Sequence, residues 1–130
     1  MKRLAVILIM ISLTACSTLE SVKEMIPSRW DANQSKVITD LQLNTRRFDC
    51  SQPLISQLDS VDVPLTWLNL YSETKGTKDI LKLTETFNTT FKEFKDRIKA
   101  GPVSAMYCDL KKKILIQQAD AVAKAVQGRF

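Results

Sequence analysis

Apolar residues recur every three or four positions along most of this 130-residue chain. That spacing places them on one face of an α-helix, whereas a half-buried strand would alternate apolar and polar residues. No stretch alternates convincingly over the length of a strand. The pattern divides into four segments of roughly 22 to 26 residues, each about 33–39 Å long if fully helical. The sequence therefore predicts an all-α fold.

Residues with special backbone preferences separate or interrupt the four segments. We expect Ser28 to be the N-cap of the first helix. Gly76 is predicted to be the C-cap of the second helix and Thr77 the N-cap of the third. Pro64 lies within the second segment and is expected either to kink that helix or to split it in two, because proline lacks a backbone N–H.

The apolar face of each segment is the predicted core. In chain order the four faces comprise Trp30, Val37, Ile38, Leu41 and Phe48; Leu54, Leu58, Val61, Leu65 and Leu68; Ile80, Leu83, Phe87, Phe91, Phe94 and Ile98; and Val103, Met106, Leu110, Ile114, Gln117, Ala121 and Ala125. Because short turns force neighbouring helices to be antiparallel, we predict a single up-down-up-down four-helix bundle.

The first sixteen residues, MKRLAVILIMISLTAC, have the layout of an export signal. Lys2 and Arg3 precede an apolar run that is short for a membrane span and has the length of a signal-peptide core. The run ends in Leu13-Thr14-Ala15-Cys16, which resembles the lipobox of bacterial lipoproteins. The resemblance implies cleavage before Cys16, acylation of that cysteine with fatty acids such as palmitate, and, with Ser17 next, delivery to the outer membrane. The alternatives are an ordinary secretory signal and an uncleaved anchor.

This interpretation divides the chain into a signal peptide (1–15), a lipidated tether (16–27) and a helical domain (28–130). Removing Lys2 and Arg3 lowers the formal charge from +5 to +3. A charge of that size is too small to indicate nucleic-acid binding. The expected membrane contact is therefore the lipid on Cys16, with the domain facing the periplasm.

Two cysteines remain once Cys16 is acylated, and an even number in an exported chain indicates a disulfide. In the predicted bundle, the end of the first helix and the start of the fourth share one pole, which brings Cys50 close to Cys108. Zinc is the weaker alternative, because the chain has no histidine and two thiolates do not complete a tetrahedral site. We therefore predict a Cys50–Cys108 disulfide and no metal or other cofactor.

Residues suited to catalysis are scarce. Without histidine, neither a Ser-His-Asp triad nor a Cys-His pair can form. Glu85, Glu93 and Asp96 lie on the charged side of the third segment, where a solvated face laced with lysines is the simpler interpretation. The sequence thus predicts a protein that is not an enzyme.

A partner-binding surface is the more promising feature. The segment Leu65–Tyr71 is apolar around most of a helix, which indicates either burial on several sides or an exposed patch for a partner. Trp67, Leu70 and Tyr71 are the candidate binding residues, and core packing of Trp67 and Tyr71 is the alternative. The run Lys111–Lys113 can similarly face lipid phosphates or simply solvent.

The expected function is that of a non-enzymatic adaptor or assembly factor acting on an unidentified envelope protein. In outline, a disulfide-linked four-helix lipoprotein resembles the helical pilotins, which escort secretin subunits to the outer membrane. That likeness is architectural and carries over no binding residues. Two alternatives remain open. One is a phage- or plasmid-encoded lipoprotein, such as an outer spanin-like lysis subunit or a superinfection-exclusion factor. The other is a small ligand-binding bundle, for which Thr84 and Gln117 are the polar residues expected inside.

Overall fold

The computed structural model describes residues 27–129, and four α-helices account for most of them. They are α1 (Ala32–Arg47), α2 (Ile55–Lys75), α3 (Lys78–Ala100) and α4 (Ala105–Gln127). Each helix packs against its neighbours in the chain, and α1 also packs against α4. This is the predicted four-helix bundle. The predicted signal peptide, Cys16 and most of the predicted tether lie outside the described residues.

The core of the described bundle is apolar and draws on all four helices. Its fully buried members include Ile38, Leu68, Ile80, Phe91 and Phe94. Phe94 packs in a tilted arrangement against Phe48, with ring centroids 5.5 Å apart. Offset and tilted ring pairs of this kind add to the free energy gained by burying apolar area.

One pole of the bundle is closed by the Cys50–Cys108 disulfide, which joins the segment after α1 to the first turn of α4. The two sulfurs link the helices that are furthest apart in the chain yet adjacent in the bundle. The predicted pairing is confirmed. Cys108 is completely buried, so the bond also fixes which side of α4 faces inward.

The helix α2 runs without interruption through Pro64, so the proline does not split it in two. Proline has no N–H to donate to the carbonyl four residues earlier, which belongs to Ser60. The side-chain amide of Asn44, on α1, donates to that carbonyl oxygen at 2.6 Å. A neighbouring helix therefore supplies the hydrogen bond that the proline removes.

The helix ends confirm two predicted cap positions and correct a third. Gly76 ends α2 in the left-handed conformation at φ 67°, as expected for a C-cap glycine. Thr77 is the N-cap residue of α3, as predicted, although its side chain makes no capping hydrogen bond. The N-cap of α1 is Asp31 and not Ser28. The Asp31 carboxylate accepts hydrogen bonds from the backbone N–H groups of Asn33 and Gln34, which have no acceptor within the helix.

Two helices bury a different set of residues from the predicted one. In α3, Thr84 is buried and Leu83 is partly exposed. In α4 the buried residues are Cys108, Leu115, Ala119, Val122, Ala123 and Val126, whereas Met106 and Leu110 are exposed. Gln117, Ala121 and Ala125 also face solvent. The predicted buried face of α4 was thus wrong by about one residue, or roughly 100° around the helix. The reason is that α4 is apolar on two sides, and the side that carries Cys108 is the buried one.

The predicted core position of Trp30 is also wrong. Trp30 precedes α1 and its side chain is 53% exposed. A helix that begins at Ala32 cannot carry residue 30 onto its buried face, because the chain is extended at the Asp31 cap.

Candidate partner-binding surface

Three apolar side chains line the outer side of α2, and we call them the α2 strip: Val63, Trp67 and Leu70. Their side chains are 65%, 39% and 58% exposed. Steps of four and three residues place them within a narrow arc of the helix surface. The buried residues of α2, such as Leu65 and Leu68, lie on the opposite side. The helix is therefore apolar on both its core face and its solvent face.

The indole of Trp67 is held in place by a stacked neighbour. Its ring lies over that of Tyr71 with centroids 4.5 Å apart and planes inclined by 13°. The Tyr71 hydroxyl donates to the Asp31 carboxylate at 3.1 Å and accepts from the Asn33 side-chain amide at 3.3 Å. The start of α1 thus fixes Tyr71, and Tyr71 in turn supports Trp67.

The pKa of Asp31 is consistent with its role in holding Tyr71. Burial by itself raises the pKa of Asp31, but hydrogen bonds from the Gln34 N–H, the Tyr71 hydroxyl and the Asn33 N–H bring it below its ordinary value. The carboxylate is therefore ionised at neutral pH while it caps α1 and accepts from Tyr71. The Lys75 ammonium lies 5.6 Å from the centroid of the Tyr71 ring, within cation–π range.

The segment of α2 that bears the α2 strip carries no charged side chain of its own. The ten residues 63–72, VPLTWLNLYS, include no ionisable group other than the Tyr71 phenol. The cores of protein–protein interfaces are similarly depleted of charged residues and enriched in Trp and Tyr. The second exposed apolar pair, Met106 and Leu110 on α4, is interspersed with Asp109 and Lys113 and so lacks this character.

The candidate residues from the sequence are therefore brought together, and at the surface. Trp67 and Leu70 are exposed and Tyr71 is half-buried, so they do not fill the core beside Pro64. Val63 was not among the residues predicted from the sequence, although its four-residue spacing from Trp67 indicates it. The support from Asp31 and Asn33 was not predicted either, because it depends on a contact between two helices.

Two of the three carboxylates considered for catalysis form ordinary ion pairs. Asp96 accepts from Lys92 one turn earlier at 2.6 Å, and Glu93 pairs with Lys111 at 3.0 Å. Hydrogen bonding from the Lys92 ammonium keeps the pKa of Asp96 below its usual range. Within residues 27–129, no group of three or more acidic or cysteine side chains is arranged to hold a metal ion.

The run Lys111–Lys113 does not form a single basic patch. Lys111 is mostly covered, and its ammonium lies near both Glu93 and the ring of Tyr107. Lys112 is half-buried and Lys113 is exposed. The three side chains therefore point to different surroundings, as expected for consecutive positions of a helix.

The interior offers little room for a ligand. A void among core residues that include Thr84 and Phe87 measures about 10 Å³, against the several hundred Å³ of small-molecule sites. The Thr84 hydroxyl donates to main-chain carbonyls of its own helix, and Gln117 faces solvent. Neither predicted polar residue lines a binding cavity.

None of the helices between residues 27 and 129 combines the length and apolarity needed to cross a bilayer. Comparison with known proteins found no family model, no curated protein and no solved structure that matches the chain.

Proposed function

We propose that the chain is an outer-membrane lipoprotein, anchored through acylated Cys16, whose periplasmic bundle binds an envelope protein and acts as a non-enzymatic adaptor. The exposed α2 strip carries the proposal. A disulfide in the domain suits an oxidising compartment such as the periplasm. The lipobox-like Leu13–Cys16 is the basis for the anchor.

The partner surface that fits the α2 strip is an apolar ridge or helix face. Trp67 reaches the surface already stacked on Tyr71, so binding immobilises few additional rotamers. Aromatic side chains such as Trp and Tyr are typical hot spots of protein interfaces. The strip is short, which favours a contact centred on Trp67 with flanking contributions from Val63 and Leu70.

The test is photo-crosslinking in intact cells, with a photoreactive phenylalanine analogue at position 67 in one strain and at position 70 in another. We expect both positions to capture the same envelope protein. Position 36, an exposed site on α1, is the matched control and should capture little. Once the partner is purified, Trp67→Ala should weaken its binding about thirtyfold, because truncating a hot-spot residue costs about 2 kcal/mol.

Stronger capture of one protein from position 106 than from position 67 would move the interface to α4 and overturn the role of the α2 strip. Equal yields from positions 67, 70 and 36 would also overturn it, since they would indicate only random encounters. The Trp67→Ala variant should keep its helical circular dichroism, because its side chain is partly exposed and outside the core. That measurement separates lost binding from lost folding.

A further inference from the structure

One end of the bundle gathers the beginnings of α1 and α3 and the ends of α2 and α4. We call it the tether pole and define it as residues 27–34, 71–82 and 124–129. Hydrogen bonds across it join Gln34 to Ser72 at 3.1 Å and to Thr77 at 2.8 Å. It lies opposite the disulfide, and the described chain enters the bundle here at Pro27.

The segment that enters the bundle is held firmly at its backbone. The Ser28 N–H and hydroxyl both donate to the Asp79 carboxylate, at 2.9 and 3.1 Å. The Arg129 guanidinium donates to the Ser28 hydroxyl at 2.9 Å and to Asp79. Three residues later, Asp31 caps α1. Residues 28–31 are therefore fixed at both ends.

Between these two attachment points, Trp30 projects an exposed indole. Its side chain is 53% accessible although its backbone is held on both sides. Together with Pro27, Arg29 and Arg129 it lines a shallow recess on the surface. An exposed tryptophan beside arginines has the amphipathic character of residues that settle at the headgroup level of a membrane.

The end of the bundle that carries this tryptophan is rich in basic side chains. The tether pole contains six basic residues against three acidic ones. Asp31 and Asp79 are engaged in the hydrogen bonds above, which leaves Glu73 as the exposed carboxylate of the pole. Arg29, Lys75, Lys82 and Lys124 are all exposed. The accessible charge at this end is therefore predominantly positive.

The length of chain outside the structure determines what this pole can reach. From Cys16 to Pro27 the tether spans roughly 36 Å at most when fully extended. If Cys16 carries lipid, as the proposed function requires, the pole stays within that distance of the bilayer.

We propose that the tether pole docks on an anionic phospholipid surface, with the Trp30 indole at the headgroup level and Arg29, Lys75, Lys82 and Lys124 facing lipid phosphates. The inference rests on the proposed lipid anchor. Docking in this way orients the bundle with its helices pointing away from the membrane and leaves the α2 strip accessible from the side.

The two tryptophans of the chain make the test direct, because Trp67→Phe leaves Trp30 as the single reporter and Trp30→Phe leaves Trp67. The purified mature protein is placed in vesicles of brominated phosphatidylcholine with or without phosphatidylglycerol. We expect strong quenching of Trp30 in the anionic vesicles, weaker quenching without phosphatidylglycerol, and little quenching of Trp67 in either.

The charge contribution is tested in the Trp30 reporter by changing Arg29, Lys75, Lys82 and Lys124 to Gln. Each basic residue lost should lower the ratio of docked to undocked protein about fivefold, so quenching should be nearly abolished. The matched control changes Arg47, Arg97, Lys99 and Lys113, which are exposed outside the tether pole, to Gln. Equal loss of quenching in both variants would overturn the pole as the docking face.

Mass spectrometry of the Cys16 peptide distinguishes the two proposals. An acylated Cys16 with unquenched Trp30 would overturn docking and leave the anchor intact. An unmodified Cys16 with Trp30 quenched by added anionic vesicles would overturn the anchor and support the lipid-binding pole. An unmodified Cys16 with unquenched Trp30 would overturn both.

Discussion

Asp79 connects distant parts of the chain at the tether pole through hydrogen bonds. No sequence pattern indicated this role. Partial burial by itself raises its pKa, but the hydrogen bonds from Ser28 and the nearby Arg129 guanidinium outweigh burial and lower it. The carboxylate accepts hydrogen bonds from residues that lie 51 and 50 positions away from Asp79 in the chain. It therefore holds both the N-terminal segment and the C-terminus of α4 against the start of α3.

This contact predicts a specific response to acid. A carboxylate whose pKa is lowered in the folded state stabilises the fold at pH values above its unfolded pKa, and this stabilisation is lost as the pH falls through the folded pKa. The Asp79 contribution should therefore be complete at neutral pH and begin to decline only below about pH 4, near the ordinary aspartate pKa. We expect Asp79→Asn to lower the free energy of unfolding by about 1–2 kcal/mol at pH 7 and by less at pH 3.

The measurement is urea unfolding of both proteins at pH 7, 5 and 3. Asp59→Asn, which alters an exposed carboxylate on α2, controls for the change in net charge. A constant difference between wild type and Asp79→Asn across this pH range would contradict the predicted linkage.

At the scale of elements, α2 shows how a helix tolerates an internal proline. Pro64 removes a main-chain hydrogen bond, and Asn44 of α1 replaces it by donating to the Ser60 carbonyl. Packing of Leu58, Val61, Leu65 and Leu68 into the core then holds both halves of the helix in line. The helix is thus continuous because of its neighbours, and its own sequence opposes continuity.

A double-mutant cycle tests this compensation. Asn44→Ala should lower the free energy of unfolding by about 0.5–1 kcal/mol, since it removes one hydrogen bond to a carbonyl that has no helical donor. In a Pro64→Ala background the alanine N–H supplies that donor, so the same Asn44→Ala change should cost close to nothing. Urea unfolding of the four proteins gives the coupling. Equal costs in both backgrounds would show that Asn44 acts independently of the proline.

At the scale of the whole molecule, the bundle is tied at both poles by different means. The disulfide closes the far pole covalently, and the Asp79 hydrogen bonds close the tether pole. Both ties connect α4 to residues that flank α1. The contact between α1 and α4 is the one that closes the ring of four helices. Local turns join every other neighbouring pair, whereas α1 and α4 are joined only by contacts between residues distant in the chain, among them the Arg46–Asp120 ion pair.

Removing the disulfide should therefore destabilise the bundle strongly. The bond spans 58 residues, and on the chain-entropy model a loop of that size stabilises the fold by about 4 kcal/mol. We expect a protein with both Cys50→Ser and Cys108→Ser to unfold at a markedly lower urea concentration. Wild type measured with reductant should behave like the double variant. Coincident unfolding curves for oxidised wild type and the double variant would contradict the prediction.

The sequence by itself determined the features that depend on neighbours a few residues away. The helical spacing predicted four helices and most of the buried residues of α2 and α3, and Gly76 predicted the turn between them. The even pair of cysteines, placed by the helix lengths, predicted the disulfide. These features are local, or follow from segment lengths, because helix periodicity and capping involve residues within one or two turns.

Only the tertiary structure decided the features that depend on contacts between distant segments. The segment that became α4 is apolar on two sides, so its periodicity alone did not reveal which side is buried, and packing with Cys108 made the choice. Trp67 lies at the surface because α2 is apolar on two sides and its other side fills the core. Asp31 and not Ser28 caps α1, and Ser28 instead contacts Asp79 and Arg129. The physical reason is common to all three: when a segment offers two comparable local solutions, the free energy of packing against its neighbours selects one.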